Sequence, residues 1–394
     1  LSAAAAFVMP VPAAGAHNSG GRTLAAFSRI LSPAFPGALP QAEIIRALRR
    51  PIASPRLCDL AAGKKRILIL LEDASRPART AAVVRAVCGE LAAARPSPAR
   101  IEILFAGGAH AGLEEANIAA KLPPGLDLPV HHHDALRQGA YAGALPHGGT
   151  IRLNPLLLEA DLRIGIGTVN FHPAAGFSGG AKLILPGAAD LHTITALHSL
   201  PPAARGAASN PLRDAMEAAA AFAPLDFYLA MLARPDGGLA GLWAGAAGAC
   251  EAEARRRLLS YALLPRPEPA GFCLVGMKPS DQSLLGFFKA VDLCLDLLAP
   301  DGVGVIFGAC PGGAGRHLWR WRPEVIARTN RRLTAALAGR VLYLLAPGVT
   351  PEEARRHLPG EVVLLRDGKE LAGLRRTARE PTYHVPFGPM TAFA

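Results

Sequence analysis

The sequence predicts an α/β protein of two domains, each with a mainly parallel sheet flanked by helices. Short apolar runs that fit buried strands alternate along the chain with longer stretches of helical spacing. A proline-rich segment, LLPRPEPAG at 263–271, divides this series in two. The 394 residues suffice for two or three domains. We therefore predict domains at 1–265 and 266–394, with the last ~10 residues packing back on the first domain.

The first domain opens with a weakly patterned stretch over residues 1–40, in which no strand motif is recognisable. Beyond it, apolar runs that end in turn or acidic residues predict strands, and apolar residues recurring every three or four positions predict helices. The predicted elements are the helix EIIRALRRP, a strand at 66–73, a helix at 79–95, a strand at 100–110, the short helix PLLLEA and a strand at 161–172.

The second domain repeats the alternation, which predicts a second parallel sheet. Its predicted elements are the strand GFCLVGM, a helix from about Ser283 to Leu298, the strand GVGVIFGA, the helix EVIARTNRRLTAALAG and the strand RVLYLLA.

Composition narrows the function classes. The net charge of +11 comes from scattered arginines, so we predict no nucleic-acid partner, and no apolar run reaches the roughly 18 residues of a membrane span. The six cysteines form no Cys-x-x-Cys pair, which indicates a reducing compartment. The opening LSAAAAFVMPVPAAGAH imitates the core of a signal peptide without a basic n-region, so we expect a cytoplasmic protein.

Polar side chains follow three of the predicted strands. Asp73 and Arg76 follow the first strand, His110 the second and His172 the third. Because the carboxyl ends of parallel strands share one edge of a sheet, we expect these residues to meet there. A single histidine after a strand is more often structural than catalytic, but three such loops at one edge favour a functional site.

A glycine-rich loop, AGFSGGAKLILPG at 175–187, resembles a phosphate-binding loop with its lysine displaced. Lys182 stands between glycines and an apolar run, in surroundings that favour a neutral, nucleophilic amine. With His172 and His198 it forms the pattern His-x9-Lys-x15-His. Two enzyme readings stay open on spacing alone. His110, His172 and His198 could form a three-histidine zinc site, or could divide into acid/base groups and a ligand for a cofactor attached to Lys182.

Two further patterns carry less information. The run HHHD at 131–134 could attract a metal, but adjacent histidines point in different directions. In PSDQSLLGFFKA, the residues Asp281, Leu285 and Lys289 are four apart, so a helix through them would place them on one face.

The chain resembles the nickel-pincer lactate racemase family from about Ile44 to the C-terminus. The stretch from His172 to His198 is the most specific part. The other matching motifs are ALRRPIASPRLCDL, EDASRP, GGAH, HHHDA, EADLRIGIG, PSDQSLLGFFK and the terminal VPFGP.

The resemblance implies a cofactor and a mechanism. Lys182 would carry a nicotinate-derived mononucleotide through a thioamide bond, close to Ser178, Gly179 and Gly180, and His198 would complete the coordination of its nickel ion. The reaction would be proton-coupled hydride transfer on a 2-hydroxy acid. The general bases for the two enantiomers would be His110 and His172, and the substrate-binding residues would be Arg76, Lys289 and Asp73.

The chain departs from the family pattern at several positions. The family has Thr before the first catalytic histidine, where this chain has Ala109, and Arg-Pro after it, where this chain has Ala111-Gly112. Ser75 stands where the family has a threonine, and Leu285-Gly286 stands where it has Tyr-Gln. We interpret these smaller residues as an enlarged pocket, which predicts a substrate larger than lactate.

The sequence thus predicts a 2-hydroxy acid racemase or epimerase with its site in the interdomain cleft. It would be loaded by cofactor-synthesis enzymes and would be an apoprotein without them. The alternatives are a zinc-dependent hydrolase or lyase on the three histidines, and a scaffold that binds a nucleotide or carboxylate without turnover.

Overall fold

The structure is a computed structural model, and it describes residues 27–94, 99–146, 148–202 and 205–394. The opening segment discussed above lies mostly outside these residues. In the described part of the chain the strands are β1 (Arg29–Ile30), β2 (Arg66–Glu72), β3 (Arg100–Ala106), β4 (Val130–His132), β5 (Ala140–Ala144), β6 (Thr150–Leu153), β7 (Leu162–Thr168), β8 (Phe171–His172), β9 (Gly176–Phe177), β10 (Phe227–Ala233), β11 (Leu239–Gly245), β12 (Leu263–Leu264), β13 (Ala270–Gly276), β14 (Leu298–Phe307), β15 (Leu342–Leu345), β16 (Val362–Leu364), β17 (Thr382–Val385) and β18 (Ala392–Phe393).

The helices within the same ranges lie between these strands, as the sequence pattern predicts. They are α1 (Gln41–Arg49), α2 (Leu57–Ala61), α3 (Ala81–Ala92), α4 (Glu114–Lys121), α5 (Pro155–Glu159), α6 (Leu191–Leu197), α7 (Pro211–Ala220), α8 (Ala247–Ala262), α9 (Phe287–Leu297), α10 (Pro323–Leu337), α11 (Pro351–His357) and α12 (Gly368–Arg376), with short 3-10 helices at Gly180–Leu183, Leu284–Gly286 and Gly388–Met390. None of the helices described is both long and apolar enough to cross a membrane.

The chain forms two compact units, neither of which is one continuous stretch. Unit 1 contains the described residues up to Ser32, together with 266–315 and 326–389. Unit 2 contains 33–265, 316–325 and 390–394 within the described ranges, and in it β18 pairs with β12. The placement of an active site between the two units stays a prediction.

The sheet of unit 2 has the strand order β11-β10-β7-β2-β3-β4, parallel throughout except for the antiparallel edge strand β11. Its central strand β2 is buried on both faces, because alternate side chains point to opposite sides. Leu68 and Leu70 enter one apolar cluster, and Ile67 and Ile69 enter another. The chain runs from β2 towards β4 and then returns to the other side of β2 at β7, which makes the β2–β7 boundary a topological switch point.

The sheet of unit 1 has the order β1-β17-β13-β14-β15-β16 and is entirely parallel. The α/β class with mainly parallel sheets is therefore confirmed. Two details of the sequence prediction were wrong. The strand predicted at 161–172 is broken between β7 and β8, and α9 begins only at Phe287, because a 3-10 turn precedes it. The weakly patterned region 1–40 contributes the short strand β1, which pairs with β17.

Candidate active site

The predicted polar loops meet at the switch point of the unit 2 sheet. Asp73 and Arg76 follow β2, the central strand of the three. His110 lies four residues beyond the end of β3, and His172 lies four residues beyond the end of β7. Since β3 and β7 flank β2, the structure brings these loops to one edge of the sheet, as parallel pairing requires.

Asp73 and His110 form a close pair. The Asp73 carboxylate is buried, and its Oδ2 lies 2.6 Å from Nδ1 of His110. Burial alone would raise the pKa of Asp73, but the charge and hydrogen bond of His110, the charge of Arg76 and the hydroxyl of Ser75 together hold that pKa below its usual range. An ionised Asp73 accepts a hydrogen bond from Nδ1–H, so neutral His110 carries its lone pair on Nε2 and can act as a base.

A buried ion pair holds the loop that carries Arg76. Lys121 is fully buried, and its Nζ donates to Glu72 Oε1 at 3.1 Å, to the Arg76 carbonyl at 3.0 Å and to the Ala78 carbonyl at 2.7 Å. Glu72 also accepts the backbone N–H of Thr168 at 2.6 Å, which ties the loop to β7. The sequence analysis missed this pair; the available signal was an acidic residue directly after a fully buried apolar run.

His172 is held by the backbone rather than by a carboxylate. Its Nδ1 accepts N–H groups from Ala174 at 3.2 Å and from Ala175 at 3.0 Å. A nitrogen that accepts two donors carries no proton, so neutral His172 has its proton on Nε2. This Nε2 lies 3.5 Å from Nζ of Lys182. The predicted histidine and the predicted attachment lysine are therefore neighbours.

The glycine loop before Lys182 packs closely against protein atoms. Gly176 and Gly180 have positive φ values of 72° and 54°. A Cβ at Gly176 would lie 1.8 Å from the Ala207 carbonyl oxygen, and one at Gly180 would lie 2.0 Å from a Glu251 carboxylate oxygen. The protein's own packing at these two positions therefore favours glycine.

The other loop residues predicted to bind a cofactor also have partners within the protein. The Ser178 hydroxyl donates to the Thr168 carbonyl at 2.9 Å. The Gly180 N–H donates at 2.9 Å to the hydroxyl of buried Tyr228, which itself donates to the Gly167 carbonyl. A Cβ at Gly179 would meet the same hydroxyl. Cofactor binding by Ser178, Gly179 and Gly180 stays a prediction.

His198 caps the C-terminal end of α6 and presents an unprotonated nitrogen. Its Nδ1 donates to the Ile194 carbonyl at 2.8 Å, so Nε2 carries the lone pair that a metal would use. The ring stacks on Trp319 with centroids 4.0 Å apart and planes at 29°. Trp319 is buried and belongs to the 316–325 part of unit 2, which the sequence analysis left unassigned.

His317, two residues before Trp319, was also missed. Its ring lies edge-to-face on His110, with centroids 5.0 Å apart and planes at 89°. Burial, together with the nearby charges of His110, His198 and Arg320, places the pKa of His317 well below its usual value. The only signal in the sequence was the run RHLWRW, whose aromatic and histidine content exceeds that of an ordinary loop.

The three-histidine zinc alternative has no matching group of metal ligands among the described residues. Across the described ranges, no cluster of three or more His, Cys, Asp or Glu side chains is arranged to hold a metal ion. The histidines of HHHD diverge to separate partners, as the sequence pattern indicated. His131 Nε2 lies 2.8 Å from Glu102 Oε1, the His132 ring stacks on Phe105, and His133 Nε2 donates to the Ala189 carbonyl.

Lys289 and Asp281 lie in unit 1, after β13. The condition for one shared helix face is not met, since Asp281 lies in a turn and Leu285 in the 3-10 helix before α9. Lys289 Nζ donates to the Ser280 hydroxyl at 3.3 Å, and the Asp281 carbonyl accepts the Cys310 N–H at 2.8 Å.

Two of the small residues that suggested an enlarged pocket face protein atoms instead. A Cβ at Gly286 would lie 2.2 Å from the Ser280 carbonyl oxygen. A Cβ at Gly112, where φ is 70°, would lie 3.1 Å from Cδ of Arg316. Neither glycine leaves open space where the missing side chain would stand.

Comparisons with known proteins agree on one family. A family described as the lactate racemase N-terminal domain matches residues 26–209. Lactate racemase from Thermoanaerobacterium thermosaccharolyticum is 31% identical over 292 residues, which cover 71% of this chain and 68% of the relative. Lactate racemase from Lactiplantibacillus plantarum is 33% identical over 215 residues, covering 52% of this chain and 50% of the relative.

Solved structures show the same fold. The lactate racemase apoprotein from T. thermosaccharolyticum matches with a TM-score of 0.77 and 24% identity, covering 93% of this chain and 95% of that one. A Thermotoga maritima protein matches with a TM-score of 0.67 and 15% identity, covering 91% of this chain and 99% of its own.

Proposed function

The chain belongs to the lactate racemase family, and from that premise we propose that it racemises or epimerises a 2-hydroxy acid with a nickel pincer nucleotide attached to Lys182. It is an isomerase, as its curated relatives are named. One observation carries the proposal. At one edge of a parallel sheet, the Asp73–His110 pair joins the loops after β2 and β3, and the loop after the other neighbour of β2, the strand β7, carries His172, whose Nε2 lies 3.5 Å from Lys182 Nζ.

His110 would take the hydroxyl proton of the substrate. Its Nε2 lone pair is the acceptor, and the ionised Asp73 on Nδ1 stabilises the imidazolium that forms. Arg76, on the same loop as Asp73, would bind the substrate carboxylate, for which a guanidinium is suited. Lys121 supports this role indirectly, because its bond to the Arg76 carbonyl fixes the backbone of the loop.

His172 would serve the opposite face of the substrate. In the structure His110 presents the lone pair of a base on Nε2, whereas neutral His172 has its only proton on Nε2 because Nδ1 accepts two backbone N–H groups. To act as an acid, His172 must be an imidazolium with a proton on both nitrogens, and to act as a base it must present a lone pair on Nε2. Both forms place a proton on Nδ1 and so require the loss of the bonds from Ala174 and Ala175, and we infer that the 172–175 turn rearranges during turnover.

The residues present fit a nickel pincer nucleotide. Lys182 supplies an amine for attachment, and the Nδ1–H bond of His198 leaves Nε2 as a nitrogen ligand for nickel. When bound, the group would accept the α-hydrogen of the substrate as hydride and return it to the planar keto acid. Lys182 and His198 would hold it, and cofactor-synthesis enzymes would have to supply it.

The proposal is tested on protein produced together with the cofactor-synthesis enzymes. We expect a mass adduct and nickel on the wild type, and chiral chromatography should show interconversion of a single-enantiomer 2-hydroxy acid. Lys182→Ala should lose adduct, nickel and activity, whereas Lys64→Ala, which removes an exposed lysine of the same unit, should keep all three.

The outcomes separate the alternatives. Stoichiometric nickel and nucleotide on Lys182→Ala would refute covalent attachment. Tight zinc that is lost on replacing His110, His172 or His198 would favour the hydrolase or lyase. A loaded wild type that binds carboxylates without converting them would be the non-catalytic scaffold.

Substrate size needs a separate measurement. We propose a side chain larger than the methyl of lactate, preferably apolar or aromatic, and this proposal now depends on Leu285, since Gly112 and Gly286 face protein atoms. A panel of 2-hydroxy acids ranked by kcat/KM decides it, with differences of about 1–3 kcal/mol expected per methylene. Lactate as the best substrate would refute the larger pocket.

A further inference from the structure

The loop that carries His110 is paired with a segment roughly two hundred residues later in the chain. Leu318 N–H donates to the Ala109 carbonyl at 2.8 Å, and Ala111 N–H donates to the Arg316 carbonyl at 3.4 Å. These bonds set His110 and His317 opposite each other in an isolated antiparallel bridge. Two backbone hydrogen bonds flanking the pair leave little freedom in the distance between the two rings.

Small residues follow His110 at the point where this pairing forms. Gly112 has a positive φ of 70°, and a Cβ there would come within 3.1 Å of the Arg316 side chain. Ala111 follows His110 directly and provides one of the two bonds. The sequence analysis interpreted Ala111 and Gly112 as part of an enlarged pocket. In the structure, the 316–318 segment packs against the His110 loop at these two positions.

A backbone hydrogen bond holds the His317 ring in one tautomer. Its Nδ1 accepts the backbone N–H of Arg320 at 3.0 Å, so its proton lies on Nε2. The low pKa of His317 keeps the ring neutral at physiological pH. A neutral ring can pack edge-to-face on His110 at 5.0 Å without repelling the imidazolium that forms there during the reaction.

We propose that His317 is a positioning residue for His110, and that its ring and backbone hold the His110 imidazole in the orientation that keeps Nδ1 on Asp73 and Nε2 available to the substrate. The inference rests on the proposed function, in which His110 is a base. It adds a residue that no sequence motif marked.

The experiment uses two independent readouts on full-length protein. Nitrogen-15 spectra of the histidine side chains, with His110 assigned from a His110→Gln variant, report the His110 tautomer in protein made without the cofactor pathway. Racemisation by loaded protein gives kcat and KM. The variants are His317→Ala, His317→Leu and His317→Phe, and the control is His131→Ala, which removes a histidine of unit 2 whose Nε2 lies beside Glu102.

In the wild type, His110 should show a single tautomer with its proton on Nδ1. His317→Ala should show a mixture of both tautomers and a kcat lower by about 10–100-fold with KM little changed, since a misplaced catalytic group affects the chemical step more than binding. His317→Phe keeps a ring against His110 and should recover most of kcat, and His131→Ala should match the wild type in both readouts.

Three results would overturn the proposal. The first is a His317→Ala protein whose His110 spectrum is that of the wild type. The second is an unchanged kcat, and the third is a His317→Phe protein no better than His317→Ala. If His317→Ala does not fold, His317→Leu fills the volume and carries the same comparison. If the wild type does not racemise any substrate, the proposed function fails while the spectra still decide the positioning role.

Discussion

His110 and His172 occupy equivalent places in the fold and are held in opposite ways. Each lies four residues beyond a strand that flanks β2. The Nδ1 of His110 faces the Asp73 carboxylate, whereas the Nδ1 of His172 accepts two backbone N–H groups. The first arrangement places the lone pair on Nε2 and the second places the proton there. Strand topology brings the two rings to one edge, but their hydrogen-bond partners decide what each can do.

The two loops also differ in how closely they pack. The His110 loop meets a flexible arginine side chain at Gly112, while the His172 loop meets a backbone carbonyl at Gly176. A side chain can move away from an added methyl group, and a carbonyl fixed in a packed loop cannot. We therefore expect the first loop to tolerate change and the second to resist it.

The largest expected effect is on catalysis by either histidine. His110→Gln and His172→Gln should each lower racemisation in both directions by about 10²–10⁴-fold, because each direction needs one acid and one base. The adduct and nickel should remain in both variants. Chiral chromatography from each enantiomer checks this. Full activity of either variant would remove that residue from the mechanism.

Asp73→Asn should impair His110 without affecting His172. An amide at this position no longer requires the proton of His110 on Nδ1, so we expect kcat to fall by about 10²–10⁴-fold while the His172 loop is unaffected. Ser75→Ala removes a hydroxyl that contacts the carboxylate and lies 3.2 Å from His110 Nδ1. It leaves the ionised carboxylate on Nδ1 and should cost much less. A loss in Ser75→Ala as large as in Asp73→Asn would contradict the assigned tautomer.

Substitutions at Gly176 and Gly112 test whether the His172 loop packs more tightly than the His110 loop. Gly176→Ala places a Cβ 1.8 Å from the Ala207 carbonyl oxygen, and we expect a loss of about 3 kcal/mol or more in the free energy of unfolding, or no folded protein. Gly112→Ala should cost about 1 kcal/mol, mainly for its positive φ. Urea unfolding measures both. Equal losses would show that the two loops do not differ in rigidity.

The smallest effect concerns acid stability. Since the pKa of Asp73 is lower in the folded than in the unfolded chain, the folded protein binds fewer protons, and stability rises with pH across that window. The contribution is present above the unfolded value of about 3.9 and is lost as pH falls through the folded value. Asp73→Asn should therefore be less stable than the wild type at pH 5, with a gap that narrows below pH ~4. A gap independent of pH would contradict the shifted pKa.

The sequence predicted the elements that depend on local pattern. The strands at β2, β3, β13 and β14 and the helices α1, α3 and α10 follow from apolar periodicity, which each segment carries by itself. Alternation of strands and helices predicted the parallel sheets, and parallel pairing placed Asp73, His110 and His172 at one edge. The helix predicted from about Ser283 begins only at Phe287, because spacing alone cannot show that a 3-10 turn precedes α9.

Contacts between residues far apart in the chain could not be predicted from the sequence. Residues 316–319 belong by chain position to the second series of elements, yet they lie in unit 2 and bring His317 to His110 and Trp319 to His198. No local pattern encodes such a crossing, because the bonds join residues some two hundred positions apart. The tautomer of His110 and the buried Lys121–Glu72 pair also depend on contacts between residues far apart in the chain. The tautomers of His172 and His198 depend on backbone groups three and four residues away, which meet the ring only once each turn has formed. Residue types and strand ends are properties of the chain, but the donor or acceptor that meets each ring nitrogen exists only once the loops have packed.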